Sequence, residues 1–297
     1  MIGETFKKFH GFWFGGVLPQ RLNLFERVFT FTFLLYMIER FRYAGEWLTD
    51  RGFHLTARTK SHFHVDPFPL MPEQWVPVFG VILFGSALSI MFQWQRRVMI
   101  WILFFCAVYV QNVDAVSAFT LNKYYIVVFL LLAISPRPQW ITDAKKDGGS
   151  LQSVWVLRTL QATLLIAYFT AGTCKLMHGD WLHHTDTLWT QVQGIYRTDA
   201  AAWMLRALPK WTWAVQMYAA LIFELTAPIL FAFRKTRPVA FIWGIGFHLL
   251  IALTMHQLIY FSIQLMTFYI LFLPEETITQ LNAFFKIPIP SKSRRVS

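Results

Sequence analysis

Eight stretches of the chain are almost wholly apolar, and charged residues gather between them. They run over Leu24–Arg42, Trp75–Gln93, Val98–Asn112, Phe119–Ser135, Val154–Lys175, Trp211–Phe233, Val239–Thr254 and Leu258–Leu273. At ~1.5 Å per residue, about 20 helical residues cross a hydrocarbon core of ~30 Å. The pattern therefore predicts an all-α, polytopic bundle of about eight transmembrane helices. Val98–Asn112 is short for a span, which implies a tilt or a polar cap. The last two stretches form one apolar run, broken only at Met255-His256-Gln257. That run is too long for one helix, so a tight hairpin is expected there.

Composition agrees with a membrane chain. Of the 297 residues, 56% are hydrophobic and only 14% are charged, against roughly 25% charged in a soluble domain. Cys106 and Cys174 both lie in apolar stretches, so no disulfide framework is implied. The start MIGETF lacks both a cleavable signal pattern and the Gly directly after Met that myristoylation needs.

The net charge of +11 has a distribution that points to membrane orientation rather than to nucleic acid. With the N-terminus in the cytoplasm, fifteen Lys and Arg fall in inner segments and nine in outer ones. Short loops carry the bias: Arg96-Arg97 and Arg234-Lys235-Thr236-Arg237 lie inside, and the hairpin at Met255–Gln257 has no Lys or Arg. Both termini are thus expected in the cytoplasm. The organisation expected is a cytoplasmic segment (1–23), one transmembrane domain (24–273) and a cytoplasmic tail (274–297). The tail ends in PIPSKSRRVS, which suits a topology anchor near anionic headgroups. No internal repeat or low-complexity tract is visible. The two longest loops, 43–74 and 176–210, then face outward, with seven of the nine histidines on that side.

An ionisable residue closes the Val154–Lys175 stretch. A charged Lys near a helix centre costs roughly 2.5–3.5 kcal/mol on insertion scales, and such residues often mark function. At helical spacing before Lys175 stand Gly172, Ala171, Tyr168 and Ala167. Three of the four are small, so a neighbouring helix can approach that face. The bland alternative is a lysine that snorkels to the interface. Glu224, in the middle of Trp211–Phe233, is a lone carboxylate that needs a partner; Lys175, His248 and Arg27 are the candidates. His248 is most simply a neutral, satisfied histidine. The run His178-Gly-Asp-Trp-Leu-His-His has no recognised zinc spacing, so no metal is expected. Walker, dinucleotide and nucleophile-elbow motifs are absent from the sequence.

The segment YFTAGTCKL (Tyr168–Leu176) followed by Asp180-Trp181-Leu182 resembles the vitamin K-dependent gamma-glutamyl carboxylases. It is also similar to the wider set of proteins sharing their horizontally transferred transmembrane (HTTM) domain. LFERVF resembles that family's Phe-Arg segment at Arg27, and Asn122 its Asn before the fourth helix. FELTAP gives Glu224, GFH gives His248, and QLIYFSIQLM resembles the helix that follows. The likeness covers most of residues 20–275.

It implies that Lys175 is the base that deprotonates a reduced, vitamin K-like quinone, with His248 and Glu224 assisting. Arg27, Asn122, Lys123, Tyr168 and Trp181 are then the cofactor-facing set. The chain departs from the pattern at Cys174, where the carboxylase has a second lysine, and at Lys123, where it has histidine. With the last expected helix ending near Leu273, the large luminal region that helps the carboxylase bind its protein substrate is not expected here. The expected role is modification of a small peptide or secreted protein at the outer face of a bacterial cytoplasmic membrane. Membrane lipids and such a peptide are the partners, and nucleic acid is not. Two rivals stand beside it. One is a non-catalytic component of a peptide maturation or export system, which a resemblance to the membrane protein of the sporulation-delaying toxin system allows. The other is a small-molecule transporter, for which no inverted repeat speaks.

The charge bias predicts that a reporter fluorescing only in the cytoplasm gives signal when fused after Ser297. The same reporter inserted near Arg197 should stay dark. The reverse result inverts the topology.

Overall fold

The computed structural model describes residues 2–55, 68–135 and 152–284. All eight predicted helices form. They are α2 (Gln20–Phe41), α4 (Val76–Met91), α5 (Arg96–Asn112), α6 (Thr120–Ile134), α7 (Trp155–His178), α10 (Lys210–Ala232), α11 (Arg237–Thr254) and α12 (Leu258–Thr267). Five shorter helices join them: α1 (Ile2–Phe14), α3 (Ala44–Leu48), α8 (Thr187–Val192), α9 (Asp199–Ala207) and α13 (Glu275–Phe284). The only strands among the described residues are two-residue pieces, β1 (Gly16–Val17) and β2 (Gln152–Ser153), paired antiparallel.

Among the described residues, three helices are long and apolar enough to cross a membrane: Glu73–Met91, Lys210–Ala232 and Arg237–Thr254. Leu258–Phe272 and Glu275–Leu281, bent by 120°, add a fourth when the pair is taken as one span. With 24 and 22 residues, α7 and α2 have the length, but polar residues interrupt their apolar character. The lysines and arginines of 56–67 and 136–151, and the tail from 285 onward, lie outside the described residues.

Sequence chemistry sets the helix ends. Pro77 and Pro238 occupy the first turns of α4 and α11, where a missing N–H costs nothing. Thr198 caps α9 by accepting from the Ala201 amide at 3.0 Å. The predicted hairpin is present. Helix α11 stops at Thr254, α12 starts at Leu258, and the His256 amide donates to the Tyr196 carbonyl at 2.8 Å.

The chain divides into two compact units. The first contains residues 1–19 and 26–156. Its core is aromatic: Phe29 and Phe33 of α2 meet Tyr125 and Phe129 of α6 edge-on, with centroids 4.7–5.8 Å apart. Lipid is as apolar as these side chains, so close packing rather than water exclusion holds such helices together. The turn from α4 to α5 is tight, with Gln93 and Gln95 both at positive φ. The carboxylate of Glu26, fully buried on α2, clasps that turn. It accepts from the Arg96 guanidinium at 2.7 Å and from the Gln93 amide at 3.1 Å.

The second unit contains residues 20–25 and 157–297. Helix α10 packs on α8 and α11, and α11 packs on α9 and α12. Phe25 meets Phe268 at 5.3 Å, and Arg21 pairs with Glu275 at 2.6 Å. Gln161, buried in α7, donates to the Leu271 carbonyl at 2.6 Å. That carbonyl lies in the 3-10 turn Phe268–Phe272 that ends α12.

Removing the cation from the Glu26 clasp should harm more than neutralising the acid. Arg96→Ala leaves a buried carboxylate without its ion, at up to about 3–5 kcal/mol for a buried pair. Glu26→Gln keeps hydrogen bonding and is expected to be milder. Thermal unfolding in detergent checks the order; equal small shifts would show that the clasp carries no stability.

Candidate functional site

The site begins with a glycine. A Cβ at Gly172 of α7 would stand 3.0–3.1 Å from Leu225 and from Glu224 Cβ of α10. The small face thus allows the close helix approach expected of it. Across that contact, Lys175 Nζ lies 2.6 and 2.7 Å from the two carboxylate oxygens of Glu224. Of the three partners considered for Glu224, Lys175 is the one in place. The carboxylate is almost wholly buried, with 5% of its side chain exposed, whereas Lys175 keeps 26%. One side of the pair is therefore open.

Trp181 forms the other wall. Its ring centroid is 4.5 Å from Lys175 Nζ, a cation–π contact. Trp181 is itself buried against Met217, Ala220 and Leu221. Helix α7 runs on to His178, so Lys175 sits in its last turn and Trp181 just beyond its end. Pro228 lies inside α10, four residues after Glu224. With no N–H, it cannot bond the Glu224 carbonyl, which loosens the helix at the buried acid.

A second polar group lies two turns earlier on the same α7 face. Tyr168 Oη is 2.6 Å from His248 Nε2 and 2.8 Å from Tyr269 Oη. Gly244 makes room for it: a Cβ there would fall 2.1 Å from Tyr269 Oη and 2.8 Å from the Phe223 ring. His248 is fully buried, and its Nδ1 has no hydrogen-bond partner among the described residues. Phe247, Phe261 and Tyr269 surround the imidazole. Seven residues of helix separate Tyr168 from Lys175, about 10 Å along the axis.

The remaining candidates lie in the first unit. Asn122 is buried and accepts from Tyr36 Oη and the Arg40 guanidinium, each at 3.3 Å, while its own Nδ2 lacks a partner among the described residues. Lys123 is exposed, and Arg27 is half-buried beside the ion-paired Glu26. Sequence reasoning missed Tyr269, Arg40 and Glu26. A tyrosine in an apolar run reads as core, and Arg40 and Glu26 stand at helix ends, where charge is ordinary. Among the described residues, no three His, Cys, Asp or Glu gather to hold a metal. In the 176–210 loop, Lys210 donates to Asp186 at 2.9 Å. That bond and the lysine's charge hold the Asp186 carboxyl below its ordinary range.

A family profile described as the HTTM domain matches residues 18–276. The chain belongs to the HTTM-domain family. The match spans every helix from α2 to α12 and both polar groups of the site. This HTTM protein, with its apolar helices, is a membrane protein. No curated protein and no solved structure matches it.

The site is expected to report its pairing through Glu224. Glu224→Ala strands the Lys175 ammonium, and Glu224→Gln keeps a hydrogen-bond acceptor. Because Lys175 is part-exposed, the Ala penalty should fall below the roughly 3–5 kcal/mol of a fully buried pair. Tyr168→Phe removes a hydroxyl shared by two buried partners and should cost about 1–3 kcal/mol. Melting temperatures in detergent check both; no change in any of the three variants would make these contacts energetically idle.

Proposed function

We propose that this HTTM protein acts on a lipid-soluble quinol, with Lys175 as the base and Glu224 as its proton partner, at the outer membrane face. The observation that carries the reading is the Lys175–Glu224 pair, buried on its acid side, open on its lysine side and walled by Trp181. A lysine needs an unprotonated amine to accept a proton. Transfer of the ammonium proton to Glu224 gives a neutral amine beside a neutral acid, and a low-dielectric site penalises that pair less than separated charges. The amine lone pair is then free to take a proton from a hydroxyl arriving on the open side.

The residues present fit a quinol head. The indole offers a flat wall, and the buried Nδ1 of His248, without a partner among the described residues, lies among aromatic rings. A bound quinol supplies acidic hydroxyls and reducing electrons. Tyr168 fixes His248 through Nε2 and is fixed in turn by Tyr269, so the imidazole's orientation is set before any ligand arrives. The resemblance to the gamma-glutamyl carboxylases supports the quinol and a peptide or secreted protein as the final acceptor of the chemistry. A purely structural role for the pair, in a peptide maturation or export component, predicts a different mutational pattern.

Lys175→Arg separates the two. Guanidinium keeps the charge and can pair with Glu224, but it stays protonated and cannot act as a base. The purified protein in lipid nanodiscs, given a reduced naphthoquinone and dioxygen as the electron acceptor, is expected to oxidise it faster than empty nanodiscs do, in a Lys175-dependent way. Lys175→Arg and Lys175→Ala should abolish that acceleration, while Lys175→Arg keeps near-native melting. An acceleration unchanged in Lys175→Arg would remove Lys175 as the base.

A further inference from the structure

We infer that α1 is an interfacial helix that lies in the plane of an anionic lipid surface, and that this surface is the partner of its aromatic face. Helix α1 has 13 residues, IGETFKKFHGFWF, or about 20 Å at ~1.5 Å per residue. That is too short to cross a ~30 Å core, and Glu4, Lys7 and Lys8 make a crossing costlier still. It is also a poor helix for water. Phe9 is 59% exposed and Phe12 51%.

These aromatics share one face. At about 100° per residue, Phe9, Phe12 and Trp13 fall within one arc of roughly 100°, and Glu4, Lys7 and Gly11 fall opposite it. The Phe9 and Trp13 rings lie 6.5 Å apart, as positions i and i+4 require. Phe14 alone departs, at the helix end, where its ring meets His10.

Connectivity places this face at a membrane surface. Only residues 15–19 separate α1 from α2, a reach of at most about 17 Å. The link is pinned: β1 pairs with β2, and the Val154 amide donates to the Gly15 carbonyl at 2.9 Å, one residue before α7 starts. Helix α1 is therefore tethered where two of the expected spans, α2 and α7, begin. Charge selects the lipid. Lys8 flanks the aromatic face and Lys7 lies on the polar side opposite it; together they outnumber Glu4, and a lysine near an anionic leaflet is attracted to it. An aromatic face with lysines on the polar side is the pattern of helices that bind in the headgroup layer.

The test is spin-label accessibility of the full chain in vesicles, on a Cys174→Ser background, since Cys106 is buried. Labels are placed singly through Glu4→Cys, Phe9→Cys, Gly11→Cys and Trp13→Cys. In phosphatidylcholine vesicles containing phosphatidylglycerol, positions 9 and 13 should be oxygen-accessible and shielded from a water-soluble nickel relaxant. Positions 4 and 11 should show the reverse. Four aqueous positions would overturn the proposal, as would positions 9 and 13 shielded from both reagents, the signature of a protein partner or a second copy. Lys7→Gln with Lys8→Gln, or vesicles of phosphatidylcholine alone, should reduce the oxygen accessibility at position 9. No reduction in either arm would overturn the assignment of an anionic surface.

Discussion

Lipid offers a buried charge nothing to bond to, so each charge inside this protein must be answered by the protein. In each compact unit a buried carboxylate is answered by a cation. In the first, Glu26 on α2 is answered by Arg96 and fastens the α4–α5 turn, where two glutamines hold positive φ. In the second, Glu224 on α10 is answered by Lys175 on α7. Chemically the pairs are alike, but their surroundings differ. Guanidinium remains protonated, so the Arg96 pair can only be a fastener. The Lys175 pair has an amine that can give up its proton, one open side and an aromatic wall.

Small residues make this second pair possible. Gly172 lets α10 come close enough for Lys175 to reach both oxygens of Glu224, and Gly244 lets Tyr269 reach Tyr168. In a membrane, helix association depends on such close packing and on hydrogen bonds worth about 1–2 kcal/mol at most. The tyrosine–histidine group is thus held by shape first and bonding second. The same glycines that allow packing also place the polar groups.

Helices were readable because their signal is local. An apolar run of sufficient length has few alternatives in a membrane, so all eight stretches became helices within a few residues of their expected ends. The break at Met255–Gln257 was readable for the same reason: it is the only polar interruption in a run too long for one helix. The short helices α1, α8, α9 and α13 were not readable. Their stability comes from caps such as Thr198 and from packing or a surface, rather than from a long apolar repeat.

Lys175 and Glu224 were legible as rare charges in apolar surroundings, and the small residues before Lys175 correctly implied a neighbouring helix. By itself, then, the sequence determined a helical membrane chain, its family and the two charges most in need of an explanation. Tertiary structure alone decided which partner Glu224 takes, because Lys175, His248 and Arg27 were equally permitted by composition. It also decided that Tyr269 joins Tyr168 and His248, and that Glu26 rather than its neighbour Arg27 is the fully buried ion of α2. The reason is geometric. Pairing of side chains 49 or 101 residues apart depends on helix rotation and crossing, and those are fixed by packing that no local pattern encodes.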